Sequence, residues 1–356
     1  MNTDRYIRQV SVREFGAEAQ EKLQKSKILV IGAGALGCPV LMYLTAAGVG
    51  TIGVLDSDEV NLSNLHRQVL YTEKNIHEPK ALAASKRLSE MNSTVKVTPH
   101  FTRLHKDNVL SLISQYDLVI ECSDNFPTKF LVNDACVMLG KPFIIGGVLK
   151  FSGQLSVYNY NGGPTYRCLI EEEPDPLEAP TCSEAGVIGM VPGIIGTMQA
   201  LEALKVLTEV GKVLSGRLLN FNGLTMEFTE FAVELNPKNL EITELSDYEY
   251  SCPNSLVEGR ELTGKEFLEM VNSSVKPRVI AFADDGKPLE YKTYSWPTIP
   301  LYELPNLTVN LSCDEQIVLI CMHGFKSLAA MRYLASKKGF KNIFHLKDGL
   351  STLSIE

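Results

Sequence analysis

Three stretches of the chain carry residue types suited to phosphate and acyl chemistry. Gly32-Ala33-Gly34-Ala35-Leu36-Gly37 ends the apolar run 27–32. Gly32, Gly34 and Gly37 permit a tight turn whose backbone N–H groups face an anion at a helix N-terminus. Asp56 closes the next apolar run and is placed to bond ribose hydroxyls. Alone, this pattern announces a nucleotide, most often NAD or FAD. The second stretch, Ser63-Asn64-Leu65-His66-Arg67-Gln68, adds a cation and polar groups just beyond that strand. Lys80 follows it, and Asp124-Asn125 comes after a later strand. A triphosphate needs cations, and its Mg2+ needs an acid, whereas hydride transfer needs neither. The third stretch is Cys321-Met322-His323-Gly324-Phe325-Lys326-Ser327. A cysteine closing a strand, a short loop and a helix start together form a thiolate cradle, with His323 and Lys326 adding positive potential.

The elements that must position these residues are read from periodicity. Short apolar runs at 27–32, 51–56, 117–122 and 142–146 predict buried strands, and 95–100 alternates like a strand. Helical patterns at 38–48, 79–91, 107–114 and 127–139 separate them. This alternation predicts βαβ units and a mainly parallel, Rossmann-like α/β sheet. The pattern then changes. Residues 153–160 alternate strongly, 196–210 are helical, and 217–221 and 227–234 read as closing strands, so an antiparallel extension is expected. A polar stretch without clear period, 237–254, is the candidate linker, and a second small α/β unit follows. The expected division is 1–245, a link at 246–260, and 261–356. Residues 316–321 and 327–337 form the strand and helix around Cys321.

Bulk properties narrow the function. The chain has 356 residues, 45% hydrophobic and 21% charged, which suits two folded domains at roughly 100–200 residues each. A net charge of −8 argues against a general nucleic-acid or membrane-surface binder. No apolar run reaches the length of a membrane span, and no signal-peptide core is visible. The eight cysteines are therefore expected as reduced thiols in a cytoplasm. Cys38, Cys122, Cys136 and Cys313 read as small packed hydrophobes.

Arg5-Tyr6-Ile7-Arg8-Gln9, the glycine turn, the run 55–68 and Glu121-Cys122-Ser123-Asp124-Asn125 together resemble the MoeB/ThiF adenylyltransferases, relatives of ubiquitin-activating enzymes. The resemblance spans about 4–234. It implies ATP-dependent adenylation of the C-terminal Gly-Gly carboxylate of a ubiquitin-like sulfur-carrier protein, in molybdopterin, thiamine or another sulfur pathway. It assigns the ribose to Asp56, the phosphates to Asn64, Arg67 and Lys80, and Mg2+ to Asp124. Gly32, Gly34, Gly37, Ser63, Gln68 and Asn125 complete the nucleotide site. Arg8 resembles an arginine that reaches into a partner subunit's site, which implies a homodimer. Ala35 departs from the glycine usual there, and slight crowding is expected. Cys182 resembles a mobile cysteine near the adenylate, whose thiol could attack the activated acyl group. Relatives usually hold zinc with two C-x-x-C pairs. Here Thr165 to Cys168 and Cys252 to Ser255 keep one cysteine each, so no tetrahedral zinc site is expected.

Residues 261–353 resemble a rhodanese domain, with Cys321 as its persulfide carrier and a cysteine desulfurase as a candidate sulfur donor. Ala281-Phe282-Ala283-Asp284 replaces the usual Asp-x-Arg, which puts its activity in question more than its fold. The alternatives are a relative acting on another carboxylate, an NAD- or FAD-dependent oxidoreductase, and a non-catalytic interaction protein.

Overall fold

Valine, isoleucine and leucine in apolar runs suit strands buried on both faces, and the first half of the chain is built on four of them with a half-buried strand at the edge. The structure, a computed structural model, describes residues 3–174, 186–246, 248, 260–274, 276–283, 286–308, 311–337 and 340–355. These fall into two compact units, divided after Tyr248.

In the first unit, β1 (Lys27–Ile31), β2 (Thr51–Leu55), β3 (Lys96–His100), β4 (Leu118–Glu121) and β5 (Phe143–Leu149) are parallel. β6 (Ser152–Tyr158), β7 (Arg217–Asn222) and β8 (Glu227–Ala232) extend the sheet antiparallel. The eight strands lie in the order β3-β2-β1-β4-β5-β6-β7-β8. This is the expected α/β architecture with its antiparallel extension. The helices are α1 (Thr3–Val10), α2 (Gly16–Lys25), α3 (Gly37–Ala47), α4 (Lys80–Met91), α5 (Lys106–Ile113), α6 (Phe126–Met138) and α7 (Met190–Thr208). β1 shows how the layers divide. Ile28 and Val30 join the core under α3, α4 and α7, while Leu29 and Ile31 join the core under α5 and α6.

Three features depart from the periodicity reading. The polar N-terminus forms α1 and α2, because one ring, Tyr6, anchors α1. It fills the space over Gly48, where a Cβ would lie 2.5 Å from the ring. α7 begins at Met190, earlier than expected, and takes in Gly193 and Gly196. Gly196 is tolerated because α7 crosses the end of α3 closely: a Cβ there would lie 2.4 Å from the Leu36 carbonyl oxygen. α7 is long and apolar enough to cross a membrane by composition, yet Val191, Ile195, Ala200 and Ala203 are buried in the sheet core. Finally, part of the polar stretch after Pro237 packs on the first unit. Leu245 is buried, and Tyr248 stacks on Phe130 of α6.

In the second unit, β9 (Glu261–Leu262), β10 (Arg278–Phe282), β13 (Thr298–Ile299), β14 (Ile317–Cys321) and β15 (Ile343–Leu346) form a parallel sheet. Its order is β13-β10-β14-β15-β9, and β11 (Leu289–Tyr291) and β12 (Tyr294–Trp296) make a separate hairpin. α8 (Gly264–Val271), α9 (Leu304–Leu307) and α10 (Phe325–Lys337) complete it. Ile317 and Leu319 pack with Ala330, Met331 and Leu334 of α10, while Val318 and Ile320 pack with Phe267 of α8.

Candidate functional site

Strand order reverses between β1 and β4, and open parallel sheets bind ligands beyond the strand ends at such a point. The glycine turn leaves β1 there, and Ser123 to Asn125 leaves β4. The two turns touch: with φ at +92°, Gly32 has room only for hydrogen, since a Cβ would lie 2.9 Å from the Cys122 carbonyl oxygen. Gly37 is closer still, with a Cβ 1.9 Å from the Gly32 carbonyl oxygen. Gly34 differs. Its Cβ would meet nothing nearer than the Gln68 amide nitrogen at 3.7 Å. Packing therefore requires the outer glycines but leaves the middle one facing open space, where backbone can approach a phosphate.

Asp56, just past β2, is buried and holds the turn in place. Its two carboxylate oxygens accept the Ala33 and Asp58 N–H groups, each at 2.8 Å. Burial pushes this carboxyl above its ordinary range, opposed by the Lys80 ammonium. Each oxygen keeps lone-pair capacity for a ribose hydroxyl. Lys80, the first residue of α4, is buried and donates to Asp58 at 2.9 Å. The Tyr71 hydroxyl ties the glycine turn to α4, 2.8 Å from Ala33 O and 3.3 Å from Lys80 O. Arg67 is half-buried, and its Nη1 donates to Ser63 O at 3.0 Å. Ser63 is turned toward Asn61, Asn64 is half-buried, and Gln68 is buried with no partner for its Oε1 among the described residues. Asn125 caps α6, accepting the Thr128 N–H at 2.9 Å. Asp124, beside it, is exposed. Arg8 is exposed on α1. Cys182, Cys252 and Asp284 lie outside the described residues.

The sequence reading missed a buried polar set beneath this site. Glu121, the last residue of β4, is fully buried. It is paired with Lys129 of α6 and accepts the Ser123 N–H at 2.6 Å. Lys129 also donates to Ser123 O at 3.0 Å and Gly146 O at 3.2 Å. From α7, Gln199 donates to Glu121 O at 3.0 Å. The signal was available: Glu121 ends an apolar strand, and Lys129 precedes an apolar run in its helix.

Cys168 is the cysteine that remains of the first C-x-x-C pair. Its sulfur receives the Thr165 and Asn236 N–H groups, both at 3.4 Å, and the Asn239 amide at 3.5 Å. These are donors with no lone pair to offer a metal. Burial alone would raise the thiol, but hydrogen bonds from Thr165, Asn236 and Asn239 outweigh it and hold the thiol below its ordinary 9.0. The neighbouring Arg167 is clamped between the buried Asp134, at 2.8 Å, and the Tyr248 hydroxyl, at 2.7 Å. Its guanidinium lies 4.9 Å from the Phe130 ring centroid. This ion pair pins the turn to α6.

In the second unit, strand order reverses between β10 and β14, and Cys321 ends β14 there. Cys321 is buried, with its sulfur 3.5 Å from the Ser327 hydroxyl. The loop closes on glycine: Gly324 has φ +81°, and a Cβ on Gly349 would lie 2.5 Å from Gly324 N. Ser327 donates to Gly324 O at 3.0 Å, and the Ser351 N–H to Met322 O at 2.9 Å. His323 is exposed and Lys326 half-buried.

Comparison with known proteins follows the same division. The model of the ThiF family matches residues 6–242. A sulfur carrier protein adenylyltransferase of Thermus thermophilus is 48% identical over 260 residues, 70% of this chain and 96% of that protein. An adenylyltransferase and sulfurtransferase MOCS3 of Aedes aegypti is 42% identical over 357 residues, 93% of this chain and 81% of that protein. Among solved structures, E. coli MccB with ATP superposes with a TM-score of 0.59 at 21% identity, covering 66% of this chain and 73% of that one. At that identity the likeness is one of fold.

Proposed function

Because the chain belongs to the ThiF family, we propose that it is an adenylyltransferase and sulfurtransferase that activates the C-terminal glycine of a ubiquitin-like sulfur-carrier protein. The observation that carries this reading is the open space over Gly34, on a turn held by Asp56 and tied through Tyr71 to Lys80. A carboxylate oxygen of the carrier attacks the α-phosphorus of ATP. The bond to pyrophosphate breaks, and an acyl-adenylate forms. Arg67 and Lys80 neutralise charge on the phosphates. The Lys80–Asp58 pair is weakly held, because Asp58 is exposed, so a phosphate can displace it. Asp56 takes the ribose. Asp124, an exposed hard-oxygen donor, suits Mg2+ that takes its other ligands from phosphates and water. Bound Mg2+ would offset charge on those phosphates.

The second step belongs to Cys321. The outer sulfur of its persulfide attacks the acyl carbon and AMP leaves. A thiol then reduces the acyl disulfide to release the thiocarboxylate. Ser327 and the loop closed by Gly324 hold that sulfur in place. Cys182 is the proposed second thiol near the adenylate, and a cysteine desulfurase the proposed source of sulfur. Arg8 completes the site of a partner subunit in a cytoplasmic homodimer without structural zinc, and 246–260 links domains 1–245 and 261–356. Mass spectrometry of a Gly-Gly-ended carrier, incubated with ATP and persulfide-loaded protein, tests this reading. Replacement of one carrier oxygen by sulfur is expected. An unchanged carrier, with ATP consumed, would remove the sulfur-transfer half.

A further inference from the structure

A fully buried carboxylate and ammonium are expensive to keep, and an apolar pair of the same volume often stabilises a fold better. Glu121 and Lys129 are such a pair, with side chains 0% and 10% exposed. What they hold is specific. Of the turn Ser123-Asp124-Asn125, Ser123 is gripped at both backbone ends. Its N–H goes to Glu121 Oε1 at 2.6 Å, and its carbonyl takes Lys129 Nζ at 3.0 Å. Asn125 is fixed separately by capping α6. Asp124 is thus the exposed middle residue of a three-residue turn whose neighbours are both tied down. Gln199 fixes the strand end beneath, and Lys129 reaches Gly146 O on β5. The pair spans β4, β5 and α6 and reaches the turn through the backbone of Ser123.

We propose that Glu121 and Lys129 are positioning residues that set the backbone of Ser123 so that the Asp124 carboxylate faces the Mg2+ of bound ATP. This deepens the adenylation reading and rests on it. A magnesium ion keeps near-ideal octahedral geometry at short ligand distances, so a small displacement of one carboxylate weakens it while the nucleotide's own contacts persist. The pair's lengths are therefore matched. Shortening the acid by one methylene pulls it from Lys129, and a longer base restores the reach.

The test uses the full chain in three forms, Glu121→Asp, Glu121→Asp with Lys129→Arg, and Asp124→Ala as reference. Both charges remain in the first two, so no ion is left buried alone. ATP affinity is measured by calorimetry with Mg2+ and with chelator, and Tm is read alongside. Glu121→Asp is expected to keep its affinity in chelator within about twofold and to lose about tenfold of the gain that Mg2+ confers, roughly 1.4 kcal/mol. The double variant should recover most of that gain. Lys129→Arg alone crowds the turn and should lose part of it, which serves if Glu121→Asp fails to fold. An unchanged Mg2+ gain in every folded variant overturns the proposal, as does a Tm loss that the double variant rescues without rescuing Mg2+. If Asp124→Ala also keeps the full Mg2+ gain, the assignment of Asp124 fails instead.

Discussion

The two parallel sheets end in the same kind of place and furnish it differently. β4 and β14 each close at a point where strand order reverses, each followed by a short loop and a helix, α6 or α10. Beyond β4 the chain displays a carboxylate, Asp124, on a turn held by a buried ion pair. At the end of β14 it holds a thiol, Cys321, beside a loop closed by two glycines in the left-handed region. On the proposed reading the difference follows from what each would do. A metal-bound phosphate would be held by geometry fixed in advance, which buried charge supplies. On that reading Cys321 needs a nearby hydroxyl and a closed loop beside its sulfur, and backbone closure suffices.

The two strand ends should differ most in what their loss does to the reaction. Asp124→Ala should lower adenylation by about 10³-fold, as loss of a transition-state stabiliser does. Cys321→Ala should leave adenylation intact and stop thiocarboxylate formation. Pyrophosphate release separates the two, and a Cys321→Ala variant unable to adenylate would merge the sites. The glycines sharpen the picture next. Gly37→Ala must displace backbone, so a loss of about 3 kcal/mol together with ATP binding is expected. Gly34→Ala has room, and should change stability by less than about 0.5 kcal/mol while weakening ATP at least tenfold. Denaturant melts and calorimetry read both, and equal stability losses would mean Gly34 serves packing alone.

Two smaller effects concern titrating groups. His345 on β15 is buried, which lowers it below its ordinary 6.5, with Glu261 opposing and Arg332 reinforcing. Its folded value lies below the unfolded one, so its contribution is full above 6.5 and fades as pH falls through the folded value. The melting temperature of the second unit should therefore drop in acid, and His345→Gln should flatten that drop. Cys168, held below 9.0, should react with iodoacetamide at lower pH than Cys38, which burial pushes up to about 12. Peptide mapping across pH checks the order.

Much of the candidate site could be placed from the sequence because its signals are local. A glycine turn, an acid at the next strand end and a cysteine before a glycine loop each sit within a few residues of the element that positions them. The Glu121–Lys129–Gln199 set was not legible as a unit, since β4, α6 and α7 supply it from distant segments. Single residues also misled. Gly193 argues against a helix locally, and the expected helix started at Gly196, yet α7 begins at Met190. The clamp of Arg167 on Asp134 and Tyr248 likewise joins residues that no spacing rule connects.

Exchange of labelled pyrophosphate into ATP tests the central claim most directly. With the intact chain, Mg2+ and a small carrier ending in Gly-Gly, exchange should be brisk, and it should vanish when the carrier's last glycine is removed. Exchange that ignores the carrier's terminus, or none with any Gly-Gly-ended carrier from the same cell, would contradict the account.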